Sequence, residues 1–234
     1  MIHITGDIHG AIFERFNPEA MPGEDTWGED DKLIVLGDFG LVFYPRNDEF
    51  KSELALEKKK LEYLESKRYE ILIIDGNHEN FDRLFEETSE EERYGDAVRR
   101  IGRNIFWLQR GRIYTIENKS FFCMGGAYSI DKAWRQKGIS WWPQECPTEE
   151  ECQAAKEKLI SAGQRVDYVL THTCPQLFIQ LMGHTADHHD LHLTSFLNWV
   201  WYEIDFDHWY FGHWHIDKEL HPKITAMFER VSNI

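Results

Sequence analysis

Five short strand-like runs recur along the chain, and each is followed within three residues by an aspartate, an asparagine or a histidine. The runs cover residues 1–4, 32–36, 69–74, 166–170 and 208–211. The second is almost continuously apolar, which is typical of a strand buried on both faces of a sheet. Because ligands collect at the carboxyl ends of parallel strands, the polar residues after the runs are expected to meet there. The pattern therefore predicts a layered α/β fold with a polar site at the strand ends.

Helical patterns separate several of these runs. Residues 48–67 combine an apolar stripe with a charged segment at 57–60, which is expected to be a solvated face. Residues 148–162 open with a capping box of Thr148 and Glu151. The order strand, helix, strand at the front of the chain predicts right-handed crossovers and a parallel sheet.

The middle of the chain is less regular. The acidic run 86–93 is expected to be solvated surface without a role. Three shorter strand-like runs at 105–108, 112–116 and 120–124 predict antiparallel pairing. Residues 193–203 form an aromatic-rich helical pattern, which most simply packs in a core.

Composition and charge restrict the class of protein. With 42% hydrophobic and 29% charged residues among 234, the chain is expected to fold as a globular protein. Its formal charge of −15 repels polyanions, so nucleic acid is not an expected partner. No signal-like or membrane-spanning apolar run is present, which predicts a cytoplasmic protein without a membrane partner. The four cysteines include no Cys-x-x-Cys pair and are expected to be reduced structural thiols.

The polar residues after the strand-like runs include seven candidate metal ligands. They are Asp7, His9, Asp38, Asn77, His172, His213 and His215. Each histidine alone would more often be a hydrogen-bonding residue than a ligand. Together the seven suffice for two ions of about five or six ligands each, if one carboxylate is shared and water completes the coordination. Carboxylate, imidazole and amide ligands suit Mn²⁺, Fe²⁺ or Zn²⁺, so we expect two divalent ions, with manganese as the first choice.

The motifs around these residues resemble those of the calcineurin-like metallophosphoesterases in identity and order. They are Gly6-Asp7-Ile8-His9-Gly10, Gly37-Asp38, Gly76-Asn77-His78-Glu79, His172 and Gly212-His213-Trp214-His215. The resemblance implies a four-layer α/β/β/α sandwich of two mixed sheets, formed as a single domain by residues 1–234, with two metals at the strand ends. It implies that one metal is held by Asp7, His9, Asp38 and His215. It implies that the other is held by Asp38, Asn77, His172 and His213, so that Asp38 bridges the two ions.

The family resemblance sets the expected reaction. We expect a metal-dependent phosphoesterase that hydrolyses a phosphomonoester or phosphodiester of a small molecule by attack of a metal-bridging hydroxide. His78 follows the ligand Asn77 and is the expected general acid for the leaving oxygen; the alternative is that it only orients ligands. Residues 39–42 lack the aspartate and arginine that the phosphoprotein-phosphatase branch has at this point, so a protein phosphatase of that branch is not expected.

Two other function classes are compatible with the motifs. A nuclease or nucleotide phosphodiesterase is the first alternative, and the acidic charge together with the lack of a basic stripe counts against a nuclease. A non-catalytic binding scaffold on the same fold is the second, but such a scaffold would be expected to have lost ligands. The sequence favours a small phosphorylated substrate as the partner and indicates no particular oligomeric state.

Two segments outside the motifs carry further candidate residues. In the glycine-led segment 125–143, Arg135 and Trp142 are candidate substrate-binding residues, with Arg135 holding a phosphate oxygen. The alternative is that the tryptophans of this segment fill the core and that Arg135 pairs with Asp131. The loop 183–192 contains four histidines, which indicate either a surface role or a separate metal site.

Overall fold

The computed structural model describes residues 1–234, which form thirteen strands and six α-helices. In chain order the strands are β1 (Ile2–Thr5), β2 (Lys32–Leu36), β3 (Glu70–Ile74), β4 (Ser89–Arg93), β5 (Asp96–Gly102), β6 (Ile105–Leu108), β7 (Arg112–Ile116), β8 (Lys119–Met124), β9 (Tyr168–Thr171), β10 (His208–Phe211), β11 (Lys218–His221), β12 (Ile224–Ala226) and β13 (Ser232–Asn233). The helices are α1 (Ile12–Arg15), α2 (Lys51–Glu65), α3 (Phe81–Glu87), α4 (Glu149–Ser161), α5 (Gln176–Leu181) and α6 (Leu191–Glu203).

The strands form two mixed sheets. The first has the order β13-β1-β2-β3-β6-β5-β4, and its four central strands β1, β2, β3 and β6 are parallel. The second has the order β11-β12-β10-β9-β8-β7, and β12, β10, β9 and β8 are parallel. Antiparallel strands close both edges of each sheet. The parallel sheet predicted at the front of the chain is confirmed.

Alternation along the strands sorts the apolar side chains into three cores. In β2, Ile34 and Leu36 point between the two sheets, whereas Leu33 and Val35 point to the side covered by α1, α2 and α3. On the second sheet, Trp209 belongs to the core that α4, α5 and α6 cover. Full burial of each such side chain contributes about 1.5–3 kcal/mol. The layers are therefore helix, sheet, sheet and helix, and the predicted α/β/β/α sandwich is confirmed.

The capping box predicted at Thr148 is present. The Thr148 hydroxyl accepts a hydrogen bond from the backbone N–H of Glu151, whose carboxylate accepts one from the Thr148 N–H. The helix then runs through α4 and is closed by Gly163 at a φ of +81°. The helix predicted over residues 193–203 is also present, as the buried helix α6.

Of two predictions for charged segments, one was wrong and one was incomplete. Residues 57–60 are not a uniformly solvated face, because Glu57 is buried and pairs with Arg83 of α3 at 2.7 Å. The acidic run 86–93 is solvated surface as predicted, and it additionally forms β4, which pairs with β5 as a hairpin whose turn has positive φ at Tyr94 and Gly95. Cross-strand pairs such as that between Glu91 and Arg100 offset the repulsion among its carboxylates.

The four cysteines are free, in agreement with the prediction of structural thiols. Cys123 lies in the core between the sheets, whereas Cys152 and Cys174 lie in the core beneath the helices of the second sheet. Burial raises the pKa of the Cys146 and Cys152 thiols to about 12. None of the helices combines the length and the apolar composition that crossing a membrane requires.

Candidate metal centre

The residues that follow β1, β2, β3, β9 and β10 meet where the two sheets present their parallel strand ends. All seven predicted metal ligands lie in this region, in two groups that face one another. Several of them line a cavity of about 320 Å³. The sequence places these residues up to 208 positions apart, from Asp7 to His215, and only the paired sheets bring them together.

Asp7, His9 and His215 form the first group. His215 Nε2 lies 2.8 Å from His9 Nε2 and 3.1 Å from Asp7 Oδ2. Asp7 Oδ1 accepts a hydrogen bond from the His213 backbone N–H at 2.8 Å, whereas the buried Oδ2 has no hydrogen bond of good geometry. A buried carboxylate oxygen without a donor, facing two imidazole nitrogens, fits a bound cation.

His172, Asn77, Asp38 and His213 form the second group. His172 Nδ1 donates a hydrogen bond to the Leu36 carbonyl at 2.7 Å, which leaves the lone pair of Nε2 free for a metal. Nε2 lies 3.4 Å from Asp38 Oδ1 and 3.0 Å from Asn77 Oδ1. The ligand atoms that Asp38, His172 and His213 offer all lie within 4.8 Å of one another. The donor set again fits a divalent cation.

Asp38 lies between the two groups. Its Oδ1 faces His172, and its Oδ2 lies 3.8 Å from His9 Nε2 in the first group. Oδ1 also accepts a hydrogen bond from the His78 backbone N–H at 2.7 Å, which fixes the orientation of the carboxylate. A carboxylate held in this way presents one oxygen to each group, as a shared ligand requires.

The backbone at these strand ends adopts conformations that only a well-packed site maintains. Four of the predicted ligands have a positive φ: His9 (50°), Asp38 (46°), His213 (68°) and His215 (50°). Such non-glycine residues cost about 1–3 kcal/mol each and cluster at functional sites. A neighbouring glycine permits the close packing, since a Cβ on Gly76 would lie 2.0 Å from Asp38 Oδ1.

The electrostatics keep the carboxylates ionised. Although burial opposes ionisation, the nearby imidazoles of His215 and His9 lower the pKa of Asp7 to about 2. The pKa of Asp38 is likewise held far below its ordinary value, because the interaction with His172 outweighs burial. Burial lowers the pKa of His213 to about 4, so this imidazole is neutral and free to donate its lone pair. Against the opposing effect of burial, the charge of Asp38 raises the pKa of His172 to about 9, and the same two anionic carboxylates would favour a divalent cation in place of that proton.

A chain of buried hydrogen bonds fixes the amide of Asn77. Its Nδ2 donates to Ser129 Oγ at 2.9 Å, and Ser129 Oγ donates to Glu145 Oε2 at 2.9 Å. Glu145 is fully buried and pairs with Lys132 at 2.6 Å. The ammonium of Lys132 also lies 4.0 Å from the centre of the Tyr128 ring. Because Nδ2 is engaged, the Asn77 Oδ1 must face His172 and the second group of ligands.

Arg135 lies beside His78 at the cavity. Its Nη2 donates a hydrogen bond to His78 Nε2 at 2.7 Å, while its Nε pairs with Asp131 at 2.7 Å. The two interpretations of Arg135 are therefore compatible, because the side chain both pairs with Asp131 and lines the cavity. Burial lowers the pKa of His78, and the positive charge of Arg135 lowers it further against the opposing effect of Asp38.

Trp142 does not lie where a substrate-binding residue is needed. Its side chain is buried, packs edge-to-face against Phe43, and donates its Nε1–H to Asp82 Oδ2 at 3.1 Å. It does not line the cavity. The expectation that Trp142 binds substrate is therefore wrong, and the alternative that it fills the core is correct. A hydrogen-bond acceptor for the indole N–H stabilises a buried tryptophan, and spacing along the chain does not indicate that Asp82, an exposed residue of α3, is this acceptor.

The histidines of the loop 183–192 separate into two kinds. His188 and His189 lie within ion-pair distance of Asp187, and His192 hydrogen-bonds to the Pro147 carbonyl. His184 instead lines the metal-centre cavity and forms no hydrogen bond through its ring.

Sequence reasoning missed Ser129, Glu145 and Lys132. The Gly125-Gly126 pair was the available signal, because a Cβ on Gly125 would lie 2.5 Å from Asp75. That close approach brings the following segment against the strand end that carries Asn77. The hydrogen-bond and ion-pair partners of the polar side chains in this segment cannot be predicted from their spacing along the chain.

Comparison with models of known protein families identifies the family of this chain. The model for the calcineurin-like phosphoesterases matches residues 1–217, and the chain belongs to that family. It is therefore a member of a family of metal-dependent hydrolases that act on phosphate esters. No curated protein matches the chain significantly.

Two solved structures are similar to the whole chain at low sequence identity. One is a putative 5′-nucleotidase from Staphylococcus aureus in complex with alpha-ketoglutarate, at 12% identity and a TM-score of 0.49. The match covers 98% of this chain and 49% of that one, so the present chain spans about half of its length. The other is the phosphopantetheinyl hydrolase from Mycobacterium tuberculosis, at 14% identity and a TM-score of 0.46, with coverage of 97% and 87%.

Proposed function

We propose that the protein is a phosphoesterase that uses two divalent metal ions to hydrolyse a phosphomonoester or phosphodiester of a small molecule. The convergence of seven ligand-type side chains in two groups, with Asp38 between them, carries the proposal. The cavity volume of about 320 Å³ and the formal charge of −15 favour a small substrate over a nucleic acid.

Each group of ligands would hold one ion. Asp7, His9 and His215 would hold the first, and Asn77, His172 and His213 the second, with Asp38 shared between them. Two bound divalent cations would supply an acidified water and neutralise charge on the phosphoryl group. Manganese is the proposed native metal, because hard carboxylate and amide oxygens complement the imidazoles and no thiolate takes part.

His78 is proposed as the proton donor to the leaving oxygen. Its backbone N–H donates to Asp38 and holds it in place, and in the proposed role the Arg135 donors would move from the His78 ring to the phosphate, so that Nε2 carries the proton for the leaving oxygen. The lowered pKa of His78 makes its protonated form a stronger acid and also a smaller fraction of the protein at neutral pH. General acid help of this kind is worth about 10²–10⁴ in rate. Arg135 is proposed to hold a phosphate oxygen, because its guanidinium lines the cavity and would redirect the donors that now face the His78 ring.

The four free cysteines support the predicted cytoplasmic location, because reduced thiols are typical of that compartment.

That residues 1–234 form a single domain stays a prediction.

Hydrolysis of generic esters tests the proposal. Metal-stripped protein should regain hydrolysis of 4-nitrophenyl phosphate or bis(4-nitrophenyl) phosphate when Mn²⁺ is added, and a chelator should abolish it. Asp38→Asn, prepared in the same way, is the matched control and should stay inactive. Full activity of the stripped protein would overturn the two-metal proposal, and inactivity with every divalent ion would support the non-catalytic scaffold.

The role of His78 has its own test. His78→Ala should retain both metals but slow turnover by about 10²–10⁴, most strongly for esters of poor leaving groups. The comparison of 4-nitrophenyl phosphate with an alkyl phosphate separates general acid catalysis from ligand orientation. An equal loss on both substrates, together with lost metal, would show that His78 only orients the ligands.

A further inference from the structure

A second cavity adjoins the metal-centre cavity. It has a volume of about 530 Å³ and is lined by Met182, His184, Trp214, Ile216, Asp217 and Lys218. His184 and Trp214 also line the metal-centre cavity, so the two spaces share a wall. We call the second space the distal lobe.

Trp214 is held rigidly at the junction of the two spaces. It lies between the predicted ligands His213 and His215 in sequence, and its Nε1 donates to Thr173 Oγ1 at 3.3 Å. The His213 ring contacts it edge-on, with the ring centres 5.4 Å apart. The position of the indole is therefore tied to the metal centre, and the part of it that lines both cavities is accessible to a flat or apolar group.

His184 lies against the indole, with the ring centres 4.9 Å apart. Unlike His188 on the same loop, it lines both cavities and has no carboxylate partner. Its ring nitrogens are therefore free to hydrogen-bond to a molecule that passes from one space to the other.

The rest of the distal-lobe lining, away from the wall shared with the metal-centre cavity, is apolar with one unpaired positive charge. Met182 and Ile216 supply the apolar surface. Asp217 is engaged, because its carboxylate accepts hydrogen bonds from the backbone N–H groups of Phe228, Glu229 and Arg230. The Lys218 ammonium forms no ion pair and is left to attract an anion.

We propose that the distal lobe is the leaving-group subsite, and that the substrate is a phosphate ester of an extended aromatic or apolar group with an acidic far end. The proposal rests on the proposed phosphoesterase function. The phosphate would lie at the metal centre, the apolar body would pass His184 and Trp214, and the acidic end would face Lys218.

Three esters with similar leaving phenols test the subsite in the presence of Mn²⁺. They are phenyl phosphate, biphenyl-4-yl phosphate and 4′-carboxybiphenyl-4-yl phosphate. For the unmodified protein, kcat/KM should rise about tenfold from the first to the second, because a second ring is buried. It should rise about two- to threefold more for the third, which is the scale of an exposed ion pair.

Variants assign these gains to residues. His184→Ala should lower the biphenyl-to-phenyl ratio by about threefold or more, whereas His188→Ala, on the same loop but outside both cavities, should leave the ratio unchanged. Lys218→Glu should make the carboxylated ester poorer than the neutral one. Equal kcat/KM for the phenyl and biphenyl esters, or equal effects of the two histidine variants, would overturn the subsite.

Two readouts keep the subsite distinct from the catalytic proposal. Hydrolysis of phenyl phosphate without any preference for the longer esters would refute the subsite alone. If no ester is hydrolysed, calorimetric binding of biphenyl-4-ylphosphonate decides: weaker binding to His184→Ala than to His188→Ala upholds the subsite, and equal binding refutes it. Circular dichroism and the thermal midpoint establish that each variant is folded.

Discussion

The position of Asp38 decides how the two groups of ligands work together. Asp7, His9 and His215 lie on one side of it, and His172 lies on the other. If the carboxylate is shared, its charge serves both ions at once. A neutral ligand such as Asn77 serves only one.

This difference predicts distinct metal contents for two variants. Asp38→Asn should lower the bound metal toward zero, because both ions lose an anionic ligand. Asn77→Ala should retain one tightly held ion. Elemental analysis after extensive dialysis measures the metal per chain, with the unmodified protein as the reference. Two metals in Asp38→Asn, or none in Asn77→Ala, would contradict the shared role of Asp38.

The buried chain from Asn77 through Ser129 to Glu145 gives a second prediction. Ser129→Ala frees the Asn77 amide to turn, and the affinity for one of the two ions should fall about 10–100-fold. Competition with a metal-sensitive dye measures this loss. Ser161→Ala, an exposed serine at the end of α4, is the control and should bind as the unmodified protein does. An unchanged affinity in Ser129→Ala would show that Asn77 does not need this partner.

The seven ligands were predictable as candidates because each follows a strand-like run, and strand ends are readable from apolar patterns. Their pairing into two groups came from the family resemblance and stays a prediction. Ser129, Glu145 and the burial of Trp142 were not predictable, because they depend on which distant side chain supplies a hydrogen bond. Spacing along the chain contains no information about such partners.

At the scale of elements, α3 is tied to its surroundings by an ion network that is buried at Arg83 and Glu57 and exposed at Arg46. Arg83 of α3 contacts Glu57 of α2 at 2.7 Å and Glu87 at 2.8 Å, and Arg46 also pairs with Glu87. Against the opposing effect of burial, hydrogen bonds from Arg46 and Arg83 lower the pKa of Glu87 from its ordinary value of 4.5 to about 2.

The lowered pKa of Glu87 predicts a pH-dependent contribution to stability. A carboxyl group with a depressed pKa in the folded state stabilises above its unfolded value and loses this effect as the pH falls through the folded value. Glu87→Gln should therefore lower the free energy of unfolding at pH 7 by about 1 kcal/mol, after allowance for solvent screening, and urea denaturation measures this loss. The difference should shrink between about pH 4.5 and pH 2. Glu86→Gln, exposed on the same helix, is the control, and a difference that does not change with pH would contradict the assignment.

Most elements of the parallel sheets were predictable, because strands buried on both faces have apolar runs. The hairpin of β4 and β5 was not, since its residues are largely polar and its turn is Tyr94-Gly95 rather than a strong turn sequence. Edge strands are held by pairing and cross-strand charges, which leave little trace in hydropathy. Hydropathy likewise predicts a solvated position for Glu57, because its burial depends on the ion pair with Arg83.

At the scale of the whole molecule, the ligands come from both sheets. The first sheet supplies the residues after β1, β2 and β3, and the second supplies those after β9 and β10. Bound ions would therefore cross-link the two halves of the sandwich.

This cross-link predicts a metal-dependent thermal midpoint. With Mn²⁺ at about 100 times its dissociation constant, stability should rise by about 2.7 kcal/mol per ion. For a chain of this length, that corresponds to a rise in the midpoint of about 5–10 °C per ion, or about 10–20 °C for two. Scanning calorimetry with and without Mn²⁺ measures the shift, and Asp38→Asn should show little of it. An equal shift in both proteins would mean that the metal binds elsewhere.

The placement of the cysteines has a practical consequence for following how the molecule comes apart. Cys123 is enclosed between the sheets, and Cys152 is enclosed beneath the helices of the second sheet. A buried thiol reacts with alkylating reagents only when its surroundings open. The labelling rate of each cysteine therefore reports how often the structure around that cysteine opens. Mass spectrometry of pulse-labelled protein would thus distinguish separation of the two sheets from detachment of α4. With Mn²⁺ present, alkylation should slow more at Cys123 than at Cys152, because bound ions would hold the two sheets together but would not hold the helices to the sheet.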